Sequence, residues 1–310
     1  MDLSALNPVA ILVSLIIAAT PLLFAALGEL VVEKSGVLNL GVEGMMIVGA
    51  IGGFATALET QNLWLAIIAG AASGAALAAI FAIMTQYLLS NQVATGLALT
   101  LFGLGIASLL GQSYAGNTVE VSMKLEIAGL SDLPVVGPLL FNHDPMVYLS
   151  IVATVLVWLF LTRTRAGLNL RAIGENHDAA HSIGYNVRGT RVAAILFGGA
   201  MAGLGGAYLA VIQTPLWVEG MTAGRGWIAL AIVVFAAWKP WRALLGAYVF
   251  GGVTIIQLNL QALGVAIESQ YLSMTPYLVT IIVLVIISAD KARARLNAPG
   301  CLGKPFFAST

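Results

Sequence analysis

The sequence predicts an all-α fold: a polytopic transmembrane bundle of about nine helices (eight to ten), some of them short or broken. Three observations carry this. Hydrophobic residues make up 59% of the chain against 9% charged, and the mean hydropathy is +0.95. Apolar runs of the ~20 residues that a helix needs to cross a hydrocarbon core recur along most of the 310 positions. The remaining charge is gathered rather than scattered: Arg163–Arg191 holds five arginines, two acids and two of the three histidines.

In chain order the spans fall near 9–28, 37–58, 63–84, 93–112, 146–162, 192–213, 227–238, 243–259 and 273–289. Only Asp2 precedes the first, which therefore lacks a basic leader region and reads as a retained span. In the third and sixth, Ala69–Ala82 and Phe197–Ala210 place Gly, Ala and Ser at three- and four-residue spacing. Small residues let helix backbones approach in lipid, where no hydrophobic drive acts between helices. The seventh is short for a crossing and is expected to be broken or tilted against its neighbours. Between the fourth and fifth, Gln112–Pro145 carries four acids with several Gly and Pro, which suits either a structured external cap or a plain connector. Cys301 is the single cysteine, so no internal disulfide can form. Net charge is zero, which gives no reason to expect nucleic acid.

Orientation follows from counting. With the Arg163–Arg191 loop cytoplasmic, alternation puts 12 of the 14 basic residues inside, leaving only Lys124 and Arg225 outside. Basic residues obey the positive-inside rule and acids contribute little, so the N-terminus is expected outside and the C-terminus in the cytoplasm.

Polar residues within spans are the candidates for solute contact. A carboxylate at the bilayer centre costs roughly 2.5–3.5 kcal/mol on insertion scales. Glu43, in the second span, is the one acid that qualifies; Asn39 lies four residues earlier on the same face. Gly36, Gly41 and Gly44 around them point to a break or a close helix approach. With Gln92, Gln213 and Asn259 these form the expected substrate path, whose uncharged amides suit a neutral polar solute such as a sugar or nucleoside. Each of these amides equally suits an interhelical hydrogen bond that only holds the bundle.

His177 and His181, with Asp178 between them, approach the metalloprotease pattern H-E-x-x-H and would share a helix face. The acid is one methylene shorter than the usual Glu base, and His143 is expected across the membrane. Glu175 leaves a third ligand available, so a metal site stays open on the residues alone. No G-x-x-x-x-G-K-[ST] phosphate loop occurs, so any ATP hydrolysis must come from another protein.

Three blocks carry a resemblance. Ser35–Ala50 (SGVLNLGVEGMMIVGA), Arg171–Val187 (RAIGENHDAAHSIGYNV) and Gly224–Gly252 resemble the permease subunit of bacterial ABC importers in the ribose and branched-chain amino-acid permease superfamily. The likeness is to the nucleoside-type branch and spans roughly residues 20–290. Tyr185 stands where that pattern usually has Ile, and Trp227 replaces Phe.

The resemblance implies a single permease domain over 1–310 in a bacterial inner membrane, with 163–191 as its cytoplasmic coupling loop. It maps ATPase coupling onto Gly174, Glu175, Asn176, Ala179, Ala180 and Gly184. The alanines are expected to press into a partner's cleft while Arg171, Arg188 and Arg191 hold the loop at the anionic leaflet. The implied partners are an ABC ATPase, a second identical or homologous permease, an extracytoplasmic solute-binding protein and membrane lipid. No cofactor and no catalytic residue of its own is implied. The function expected is nucleoside import, with a ribose-like sugar as the alternative substrate. Two other classes compete: an ion-coupled secondary transporter, weak because only Glu43 lies deep in a span, and an intramembrane metalloenzyme resting on His177 and His181.

Overall fold

The computed structural model describes residues 7–121, 125–126, 131, 133–262, 271, 274–275, 277–279, 281–282, 285 and 298–307. Among the described residues ten α-helices are bounded: α1 (Pro8–Lys34), α2 (Val42–Thr60), α3 (Leu63–Ala82), α4 (Gln92–Gly111), α5 (Pro145–Arg163), α6 (Arg165–Glu175), α7 (His177–Ser182), α8 (Val187–Tyr208), α9 (Arg225–Phe235) and α10 (Pro240–Ala262). Wider π-turns extend α3 through Tyr87 and α8 through Gln213.

Among the described residues seven helices are long and apolar enough to cross a membrane: α1, α2, α3, α4, α5, α8 and α10, with α3, α4 and α8 counted to their extended ends. The seventh expected span is the short α9. Of the ninth, near 273–289, about half of the positions lie outside the described residues. Two strands in the loop between α4 and α5, β1 (Leu125–Glu126) and β2 (Asn142–His143), pair antiparallel, and Thr118 bridges to Leu216.

Local sequence explains where most helices begin. Asn7, Asn62, Asn91, Asp144, Thr164, Asn176 and Asn186 each accept a backbone N–H of the helix they precede. Such a cap satisfies donors that the first turn cannot pair internally. Two helices lack it: α2 and α9 begin at Gly41 and Gly224, with no side chain of the capping residue bonded.

The small-residue stripes meet one another. α8 packs along α1, α2 and α3. A Cβ added to Gly203 would strike the Gly70 carbonyl oxygen, and one added to Gly49 or Gly74 would strike Gly203. Backbones that close leave no room for a side chain, which is what the glycine pattern of Ala69–Ala82 and Phe197–Ala210 anticipates.

Candidate functional site

Two places in the bundle gather the polar chemistry. The first is the start of α9. Glu43, buried in the first turn of α2, accepts from the Thr222 hydroxyl at 2.6 Å, the Gly224 N–H at 2.8 Å and the Gly226 N–H at 2.6 Å. A carboxylate borrowed from another helix thus supplies the missing cap and meets the positive end of the helix dipole. Gly224 adopts φ +79°, the left-handed conformation that lets the chain turn into α9.

At the far end of α9, the Trp238 indole N–H donates to Glu33 of α1 at 2.5 Å. Eleven residues at 1.5 Å rise make α9 ~16 Å long, about half of a hydrocarbon core. The seventh element is therefore a half-helix preceded by the irregular segment 214–224, in which Trp217, Thr222 and Gly224 are buried.

Beside Glu43 lies the turn 35–41. The backbone N–H of Asn39 donates to Glu29 at 3.3 Å and that of Leu38 to Gln92 at 2.8 Å, while the Asn39 side chain accepts from Gly41 N–H at 2.9 Å. Three of the five path candidates, Asn39, Glu43 and Gln92, are thereby brought together and buried, holding the chain's own backbone. Gln213 and Asn259 lie apart and half-buried; Asn259 donates to Ile255 O of its own helix, and Gln213 Oε1 has no partner among the described residues. An apolar cavity of about 810 Å³ between α1, α5, α6 and α8 is lined by none of the five.

The sequence reading missed Glu29 and Glu33, which are as buried as Glu43. The first span is longer than the expected 9–28: α1 runs to Lys34 and so takes in both acids. The expectation that Glu43 alone lies deep is thus corrected. The signal was present: two acids four apart face one way on a helix.

The second place is the charged island. It folds as α6, α7 and the start of α8, and Gly184 at φ +92° ends α7. Gly174 lies buried against the end of α1, whereas Glu175, Asn176, Ala179 and Gly184 are exposed. Ala180 is buried, packed with Ile173, Val187 and Phe306. The expected alanine face therefore splits, because neighbours on a helix point ~100° apart. The exposed side of α7 carries Asp178, Ala179 and Ser182, with Ile183, 71% exposed, at its end.

Arg191 is 0% exposed, which corrects its expected place at the lipid leaflet. Its Nε donates to Ser35 O at 3.1 Å, Nη1 to Lys304 O at 3.2 Å and Nη2 to His177 Nδ1 at 3.0 Å. Burial and the Arg191 guanidinium push His177 below its ordinary value, against a weaker pull from Asp178. Both imidazoles of the metal-like pattern pack edge-on against Phe306, with ring centroids 5.4 and 5.2 Å away.

Residues 11–288 match the family of branched-chain amino acid transport system permease components. The chain belongs to this permease family. This permease is also similar to individual curated proteins. A Haloferax volcanii protein named, provisionally, as the glucose ABC transporter permease protein TsgC13 is 42% identical over 92% of this chain and 93% of its own. The nucleoside ABC transporter permease protein NupC of Lactococcus lactis is 33% identical over 89% and 91%. The guanosine ABC transporter permease protein NupQ of Bacillus subtilis is 32% identical over 94% of each.

Proposed function

We propose that this permease is the membrane subunit of an ATP-driven importer that carries a nucleoside into the cell. The family match over residues 11–288 carries the transport reading, and the relatives named for nucleoside and guanosine transport favour the substrate. A sugar is the second reading, favoured by the glucose-named relative at 42% identity.

In this reading 1–310 is one permease domain and 163–191 its coupling loop. An ABC ATPase docks on Glu175, Asn176, Asp178, Ala179 and Ile183 and drives the switch between outward and inward access. Gln213 and Asn259 line the solute path, while Asn39, Glu43 and Gln92 hold the helix ends that border it.

The second permease of the complex is a homologue rather than an identical copy. In each of three organisms two permeases match this chain unequally: 42% and 26% in Haloferax volcanii, 33% and 24% in Lactococcus lactis, 32% and 24% in Bacillus subtilis. A solute-binding protein outside the cell delivers the nucleoside. The protein sits in a bacterial inner membrane with its N-terminus outside. Lys34, Arg171, Lys239 and Arg242 support that orientation, since all four line one cavity of about 480 Å³ and so share a side.

The test is uptake of radiolabelled guanosine, adenosine, ribose and glucose by cells with and without the gene, and with the partner ATPase disabled. Nucleoside uptake lost in both strains is expected. Loss of sugar uptake alone would replace the substrate, and uptake that needs this chain but survives ATPase loss would overturn the ATP-driven mechanism.

A further inference from the structure

The segment 298–307 lies across the coupling elements and is bound there at every stage. Cys301 N–H donates to Gly174 O at 2.9 Å, and Gly303 N–H to Gly36 O at 3.1 Å. Gly300 N–H and the Cys301 thiol reach the side chain and the carbonyl of Glu175, each at 3.4 Å. Further on, Lys304 O accepts from Arg191. Phe306, 4% exposed, fills the space between Ile173, Ala180 and Val187, with Tyr185 and the two imidazoles around it.

We propose that residues 300–306 form a strap that fixes the coupling helix α7 to the ends of α1 and α8, with Phe306 and Arg191 as its positioning residues. The proposal rests on the reading of α7 as the ATPase-docking helix. An isolated helix shorter than ~12–15 residues is marginal in water, and α7 has six. A helix that short passes on a displacement only through what it is packed against. Its buried side meets Phe306, and its first residue, His177, is bonded to Arg191, which is bonded in turn to Ser35 at the end of α1. Without the strap, α7 would hang from two short connections with an apolar side open to water. With it, a push on Ala179 is delivered to the spans that carry Gly203 and Glu33.

The test uses the whole complex in proteoliposomes with the radiolabelled solute that intact cells take up. Solute moved per ATP hydrolysed is measured together with the amount of assembled complex. The variants are Phe306→Ala, Phe306→Leu, a chain ending at Pro299, and Ala179→Trp on the exposed side of α7. Phe306→Ala and the shortened chain are expected to lower solute moved per ATP by about fivefold or more, the scale of a coupling free energy between sites. ATP hydrolysis and assembly persist, and Phe306→Leu restores more than half of the loss.

Unchanged solute per ATP in Phe306→Ala overturns the strap, as does a loss that only tracks the amount of folded complex with no recovery in Phe306→Leu. Uncoupling by Ala179→Trp alone rejects the strap and keeps the docking helix. Normal coupling in Ala179→Trp rejects the docking helix itself, and the strap with it. If the shortened chain does not accumulate, the two Phe306 variants decide alone.

Discussion

Replacing Glu43 by alanine separates a clamp from a solute ligand. The carboxylate accepts two backbone N–H groups of α9 and one hydroxyl, all buried. Alanine leaves the Gly224 and Gly226 donors without a partner, and an unsatisfied buried donor costs about 1–3 kcal/mol, so roughly 2–6 kcal/mol is at stake. Thr222 can turn its hydroxyl elsewhere and adds little. Glutamine keeps one carbonyl oxygen but turns a second donor toward an N–H or a hydroxyl, so it should lose about half as much. At about 2 °C per kcal/mol for a chain of this size, Glu43→Ala should melt roughly 4–12 °C lower in nanodiscs at a fixed heating rate, and Glu43→Gln less. Transport should fall in the same order while the ranking of solutes stays unchanged. An alanine variant that melts within a degree of the parent but has altered solute preference would refute the clamp and return Glu43 to the solute path.

Gly203→Leu drives a side chain into the Gly70 carbonyl and should destabilise the bundle by at least the ~1–3 kcal/mol of an overpacked core, read as loss of monodisperse protein on warming. Trp238→Phe removes the donor to buried Glu33 and should cost about 1.5–3 kcal/mol; an unchanged melting point would show that α9 is not held at that end. The strap should also loosen in acid. His177 accepts a hydrogen bond from Arg191 and is held below its ordinary value, so the released state binds the proton better; docking is complete above about pH 6.5 and weakens as pH falls below it. Arg191 and Lys304 oppose the imidazolium, Asp178 favours it, and His181 lies across Phe306. Hydrogen exchange of residues 300–306, taken relative to the intrinsic amide rate at each pH, should therefore rise between pH 7.5 and 5.5. His177→Gln, which keeps an acceptor without titrating, should flatten that rise.

The bundle was legible from composition because a hydrocarbon core demands long apolar helices whatever their packing. Asparagine caps and glycine stripes are local signals, and they marked where helices start and where backbones meet. Glu175, Asn176 and Ala179 are exposed around α7. Other features depend on pairs far apart in the chain. Glu43 reaches Thr222, Gly224 and Gly226 across about 180 positions, Trp238 reaches Glu33, and Phe306 buries Ala180. A hydropathy window averages neighbours only, so it can neither extend α1 past Gly28 to take in Glu29 and Glu33 nor tell which alanine of α7 turns inward. The sequence by itself determined a membrane-spanning helical permease with one charged internal loop, because apolar length and charge position are properties of the chain read in order. Only the tertiary structure decided that a carboxylate caps a half-helix and that the distant Phe306 packs against α7. Buried donors and short helices take their partners from whatever segment the packing brings within 3 Å or so.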